Sequence, residues 1–184
     1  MTITKFRWID IAIFSFVAAM TDIAVTLFGL LNVKFYLAIS TIVIVLVYVR
    51  WHKYGLLTNG FIILVHFMLF GLTTSDWIAS GLHALSFIGF ISILGWLKID
   101  YYHIKQRFDY LRISSLFLLG YFTVFMVEWG LYSLLEPTNF VDLFLNHIIT
   151  IVIGLGLCLI MIYQENLVID MTYYLRHKNE ETTS

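Results

Sequence analysis

The stretch FVDLFLNHIITIVIGLGLCLIMIY, residues 140–163, runs for 24 residues with Asp142 as its only charged side chain. A helix needs about 20 predominantly apolar residues to cross the roughly 30 Å hydrocarbon core of a bilayer, so this segment reads as a membrane-spanning helix. Five further apolar runs precede it: Trp8 to Leu30, Phe35 to Val49, Gly55 to Leu72, Trp77 to Leu97, and Ile113 to Leu134. Because backbone polar groups facing lipid must be satisfied within their own segment, each run is expected to be helical. The expectation is an all-α integral membrane protein, a bundle of six transmembrane helices forming one domain over residues 1–184. Residues 98–112 are expected to be an inner-side connecting loop, and 164–184 a cytoplasmic tail.

Composition agrees with this reading. Of the 184 residues, 60% are hydrophobic and 12% charged, against roughly 25% charged in a soluble domain. The net charge of −1 leaves no broad basic surface, and nucleic acid is not expected as a partner. The lone cysteine, Cys158, falls inside the last apolar run and reads as a packing residue. The N-terminal apolar run continues past Gly29 without an Ala-x-Ala-like site, so it is expected to be the first span rather than a cleaved signal.

The breaks between runs set the expected orientation. Lys5, Arg7, Arg50, Lys53, Lys98, Lys105, Arg107, Arg112, Arg176 and Lys178 all fall on one side of a six-span arrangement, with Lys34 alone on the other. By the positive-inside rule both termini are expected in the cytoplasm, with the chain in a bacterial cell membrane. The inner segment from Glu165 to Arg176 places Leu167, Val168, Met171 and Leu175 on one apolar face, as an interfacial helix would.

Ionisable side chains inside a span are costly and mark a partner, a cavity or a path. Here Asp22, His83, Glu128, Asp142 and His147 lie toward the outer half, and His66 lies near the middle. Asn139, Asp142, Asn146 and Thr150 share one helical face in the last span, with His147 beside them. Glu128 and Tyr132, four apart, repeat the pattern next to Trp129; Trp77, Ser80 and His83 repeat it in the fourth span. Converging stripes of this kind would line an outward-facing cavity of the aromatic and hydrogen-bonding make-up typical of small-molecule sites. Packing of the same residues against one another across helix interfaces is the other reading. With Lys34 the one basic residue on the outer side, charge favours a neutral or cationic ligand. His83, Glu128, Asp142 and His147 are also chemically competent zinc ligands, but HExxH and Gly-x-Ser-x-Gly patterns are absent. Neither catalysis nor a metal or other cofactor is expected.

Six spans, cytoplasmic termini, small residues Ala12, Ser15 and Ala19 in the first helix, and polar groups at the outer ends of spans four to six together give a family likeness. The chain resembles the substrate-binding S component of energy-coupling factor (ECF) vitamin transporters. The resemblance implies capture of a small water-soluble vitamin or precursor, with Trp77, Trp129 and Tyr132 stacking on or enclosing it. His83, Glu128, Asp142, Asn146 and His147 would fix its polar edge, and the outer loops Leu31 to Lys34 and Thr73 to Asp76 would close over it. It further implies a transmembrane coupling subunit driven by two cytoplasmic ATPases, docked on Ala12, Ser15 and Ala19 in place of the family's Ala-x-x-x-Ala. The N-terminal histidine of the cobalt and nickel members is missing, so a metal substrate is not implied. The chain also resembles the cell-shape protein MreD, which implies a scaffold in the bacterial envelope. A small intramembrane metalloenzyme is the third alternative. A filled outer half favours the scaffold, and an open cavity favours capture.

Overall fold

The structure is a computed structural model that describes residues 2–27, 37–100, 110–164, 167–172, 174, 175 and 178. Its elements are helical: α1 (Ile3–Leu27), α2 (Ser40–Trp51), α3 (Gly55–Thr74), α4 (Trp77–Ser86), α5 (Ser92–Asp100), α6 (Tyr110–Ser133) and α7 (Phe140–Ile162). Short 3-10 turns at His52–Tyr54 and Phe87–Ile91 join α2 to α3 and α4 to α5. Among the described residues five stretches are long and apolar enough to cross a membrane: Ile3–Leu27, Ser40–Thr74, Trp77–Leu97, Tyr110–Ser133 and Phe140–Ile162.

The second stretch is not one rod. A straight helix would separate Ser40 from His66 by about 39 Å at 1.5 Å per residue, yet Ser40 Oγ lies 3.4 Å from His66 Nε2. The chain reverses at His52, which takes a left-handed φ of 49°, and Gly55 then passes directly under the Tyr48 ring. A Cβ on Gly55 would come within 2.6 Å of that ring, so the close turn requires glycine. α2 is therefore a 12-residue arm, about 18 Å long, shorter than a bilayer core.

The sequence of α2, STIVIVLVYVRW, is apolar on every face, which marks a helix surrounded by others. Eleven of its residues are buried, from Ser40 to Trp51 with Val43 excepted, and it touches α1, α3, α5, α6 and α7. The 12-residue α2 is thus the axis of the bundle, and the main core gathers Ile44, Val45, Tyr48, Phe87, Phe90 and Phe117 around it. The longer helices turn large apolar side chains outward, among them Phe16, Leu64, Met68, Phe122 and Val152. Such a surface suits lipid, which is as apolar as the side chains it meets.

Between α4 and α5 the backbone tightens to a 3-10 turn, with Gly89 against α6. A Cβ there would sit 2.5 Å from the Val124 nitrogen, so the crossing of two main chains leaves no room for a side chain. Thr123 Oγ1 donates to the Gly89 carbonyl at 2.8 Å and locks the crossing.

Two expected loops differ. Residues up to Asp100 continue α5, and Tyr110 already begins α6, so the 98–112 connection is shorter than the charge pattern suggests; 101–109 lie outside the described residues. In the segment after α7, residues 167–170 are not helical while Met171 and Thr172 are, and the apolar face expected at the membrane interface turns into the bundle. Val168, Ile169, Asp170 and Met171 are buried, with Val168 in the main core and Met171 against Ile11, Val47 and Trp51. Arg50 draws the segment in by donating from Nη1 to the Leu167 carbonyl at 2.8 Å, and His52 Nε2 lies 2.8 Å from Asp170 Oδ2. Glu165 and Arg176, and the outer loop Leu31 to Lys34, lie outside the described residues.

Candidate functional site: a cavity over a buried imidazole and carboxylate chain

The ends of α3, α4, α6 and α7 surround a cavity of about 750 Å³, inside the roughly 300–1,000 Å³ range of small-molecule sites. Its rim is exposed and comes from Thr73, Thr74 and Asp76. Its floor is buried: His83, Glu128 and His147 are each 3% exposed. Capping chemistry shapes the rim. Asp76 is the N-cap of α4 and accepts from the Ile78 and Ala79 amides, after Ser75 has turned the chain with a left-handed φ of 59°. Asn139 caps α7 in the same way, accepting from the Val141 amide.

Below the floor the polar side chains form one continuous chain across five helices. Asp22 Oδ1 accepts from the Ser40 amide at 3.1 Å, and its Oδ2 lies 2.6 Å from His66 Nε2. His66 Nδ1 faces His83 Nε2 at 3.5 Å, with the two rings stacked between Phe70 and Phe87. His83 Nδ1 lies 2.8 Å from Glu128 Oε1, and His147 Nε2 lies 3.3 Å from Glu128 Oε2. His147 Nδ1 continues to the Tyr121 hydroxyl at 2.7 Å. Buried charge is tolerated only when partnered, and this arrangement partners two carboxylates with three imidazoles.

Of the eight side chains expected around a ligand, the cavity is lined by His83, Glu128, Tyr132, Asn146 and His147. Tyr132 donates its hydroxyl to the Ala79 carbonyl at 3.2 Å, tying α6 to α4 at the wall. The other three are placed elsewhere. Trp77, the first residue of α4, folds back over Gly71 and Phe67. Trp129 donates from Nε1 to the Thr138 carbonyl at 3.2 Å and meets Phe140 edge-on, bracing the α6–α7 turn. Asp142 is exposed in the first turn of α7. In α1, Ser15 and Ala19 turn inward: Ser15 Oγ lies 2.9 Å from Thr58 Oγ1, and Ala19 is in the main core. Ala12 is exposed.

Asp22, His66 and Tyr121 extend the chain beyond the three outer stripes. Asp22 and His66 stand out in sequence as ionisable groups within apolar runs, but nothing in their spacing pairs helices one and three. Tyr121 carries no such mark. Among the described residues no group of three or more His, Cys, Asp and Glu is arranged to hold a metal ion. The imidazole nitrogens point at the Glu128 oxygens rather than at a common centre. Comparison with known proteins adds no relative: no family model, no curated protein and no solved structure matches the chain.

Proposed function

We propose that the chain is the membrane-embedded substrate-capture subunit of an ATP-driven, ECF-type micronutrient importer, binding a small water-soluble vitamin or precursor in this cavity. The observation that carries the reading is a cavity of ligand size with an exposed rim and a buried floor of convergent hydrogen-bonding groups. An MreD-like scaffold has no use for such a space at the polar end of the bundle, so the cavity weighs toward capture. In this proposal both termini are cytoplasmic in the cell membrane, α2 belongs to the short second crossing of six, and the cavity faces outward. A transmembrane coupling subunit and cytoplasmic ATPases complete the importer. With Ser15 and Ala19 occupied inside the bundle, the docking contact on α1 falls to Ala12 and its exposed neighbours Phe16 and Met20.

The test is a thermal-shift titration of the detergent-purified protein against water-soluble vitamins and their precursors. A ligand at a hundred times its Kd stabilises the folded state by about 2.7 kcal/mol through mass action. A dose-dependent rise in melting temperature with one compound class is expected. A flat response to the whole panel, together with tight co-purification of envelope proteins, would return the reading to a scaffold.

A further inference from the structure

The Glu128 carboxylate carries an observation that its partners do not explain. Oε1 is held by His83, whereas Oε2 is buried without a hydrogen bond, with His147 Nε2 3.3 Å away. Glu128 is 3% exposed and forms part of the cavity floor. An unsatisfied buried acceptor of this kind costs about 1–3 kcal/mol, more when charged, and a donor supplied from the cavity removes that cost.

Counting protons gives the sign of that donor. His66 directs Nε2 at Asp22, and His83 directs Nδ1 at Glu128. A neutral imidazole has one N–H, so with both N–H groups spent on carboxylates, the facing nitrogens, His66 Nδ1 and His83 Nε2, would be two lone pairs. Their 3.5 Å contact is a hydrogen bond only when one proton lies between them, which makes the histidine pair cationic by one. The groups facing the site are then Asp22 from α1, His66 from α3, His83 from α4, Glu128 with the neutral phenols Tyr121 and Tyr132 from α6, and His147 from α7. Asp76 at the rim is already engaged as a helix cap. With His147 neutral, two carboxylates against one shared proton leave one negative charge uncompensated, and among the described residues no Lys or Arg lines the cavity.

We infer that the ligand is a small organic cation bearing N–H donors, an amine, amidinium or protonated heterocycle, whose N–H is held by Glu128 Oε2 and whose charge competes with a proton for the same vacancy. This inference rests on the capture reading and narrows its substrate class. Without ligand at low pH, the second proton resides on His147 beside Oε2 and the cluster is neutral. The entering cation takes over that compensation and the proton leaves through the cavity that His147 lines, so charge is conserved: one cation in, one proton out. Where His147 carries no proton before the ligand enters, none is released. A bare metal ion would not fill a space of about 750 Å³, which is why the cation is an organic one.

The experiment is calorimetry and thermal shift on the full chain in detergent, from pH 5.5 to 8. The probes are benzamidine, thiamine and pyridoxamine as cations, benzamide and nicotinamide as neutral counterparts, and nicotinate and biotin as anions. Cations are expected to bind at least tenfold more tightly than neutral compounds of the same shape. Benzamidine, which keeps its charge across this range, should lose up to about tenfold in affinity per pH unit on the acid side, and its binding heat should vary with the buffer as release of up to one proton requires. Glu128→Gln should weaken benzamidine at least tenfold. His147→Gln should bring the ratio of affinities at pH 8 and pH 5.5 toward one; if either variant fails to fold, the wild-type buffer comparison still decides. Neutral or anionic probes binding as well as cations would overturn the inference and leave capture standing, and a pH-independent benzamidine affinity would overturn the proton exchange. Silence from every probe would overturn capture as well.

Discussion

Two carboxylates, the half-buried Asp10 near one end of the bundle and the buried Glu128 near the other, are compensated in different ways. Asp10 accepts from Arg50 Nε at 2.9 Å and Nη2 at 3.2 Å and from Trp51 Nε1 at 2.6 Å; the Phe14 ring covers the guanidinium and the 167–172 segment closes over the whole. Glu128 is faced by imidazoles, leaves one oxygen without a hydrogen bond, and opens on a cavity. A guanidinium keeps its charge at every physiological pH, whereas an imidazole gives its charge up. The first arrangement is built to stay closed, and the second is built to exchange its counter-charge.

The largest expected effect breaks the fixed end. Arg50→Met removes the guanidinium from the half-buried Asp10 carboxylate and should cost about 1.5–3 kcal/mol, read as a lowered unfolding midpoint in detergent; the double change with Asp10→Leu should regain most of it. If the single variant unfolds like wild type, the contrast between the two ends is wrong. Next is the crossing that holds the ends together. Gly89→Ala pushes a Cβ into the α6 backbone and should cost about 1–3 kcal/mol as an overpacked contact, and an unchanged midpoint would mean that α4 and α6 approach less closely than described. Glu128→Gln sharpens the comparison from the other side: it keeps an acceptor for His83 and removes a charge, so unfolding should shift by about 1 kcal/mol or less while cation binding falls. A loss as large as that of Arg50→Met would make Glu128 a structural group like Asp10. The smallest effect is at His52, which is partly exposed beside Asp170. His52→Ala should cost about 0.5 kcal/mol and loosen the 167–172 segment, visible as faster protease cleavage there; equal cleavage rates would detach that segment's position from the ion pair.

Much of the helical framework is legible in the sequence because length and hydropathy act locally. The runs from Trp77 to Leu97, Ile113 to Leu134 and Phe140 to Tyr163 reappear with ends shifted by a few residues. The polar stripes are legible for the same reason, since a period of 3.6 places Glu128 with Tyr132 and Asn146 with Thr150 on one face whatever surrounds them. What is not legible depends on which faces meet. The Asp22–His66 bond joins residues 44 apart and the His83–Glu128 bond residues 45 apart, and no local pattern encodes either. Trp77 and Asp142 sit in the first turn of their helices and Trp129 near the end of its own; Trp77 packs on Gly71, Trp129 bonds the Thr138 carbonyl, and Asp142 is exposed. The apolar residues between Glu165 and Arg176 are spaced as in an amphipathic helix, and helix does begin at Met171; that the apolar side packs under the bundle, where Arg50 donates to the Leu167 carbonyl, is not visible in the sequence.

The central position of α2 also bears on how the chain is made. A translocon passes helices into lipid one after another according to their own apolar length, and α2 is about 18 Å long with nearly every face reserved for other helices. It has neither the reach to settle across a bilayer nor a surface meant for acyl chains. The hairpin through His52 therefore ties its insertion to α3, the 20-residue helix that follows, and its polar Ser40 finds the Asp22 carboxylate only once α1 is alongside. On this geometry α2 is expected to settle only together with α1 and α3, and a chain cut before α3 leaves its apolar faces without partners.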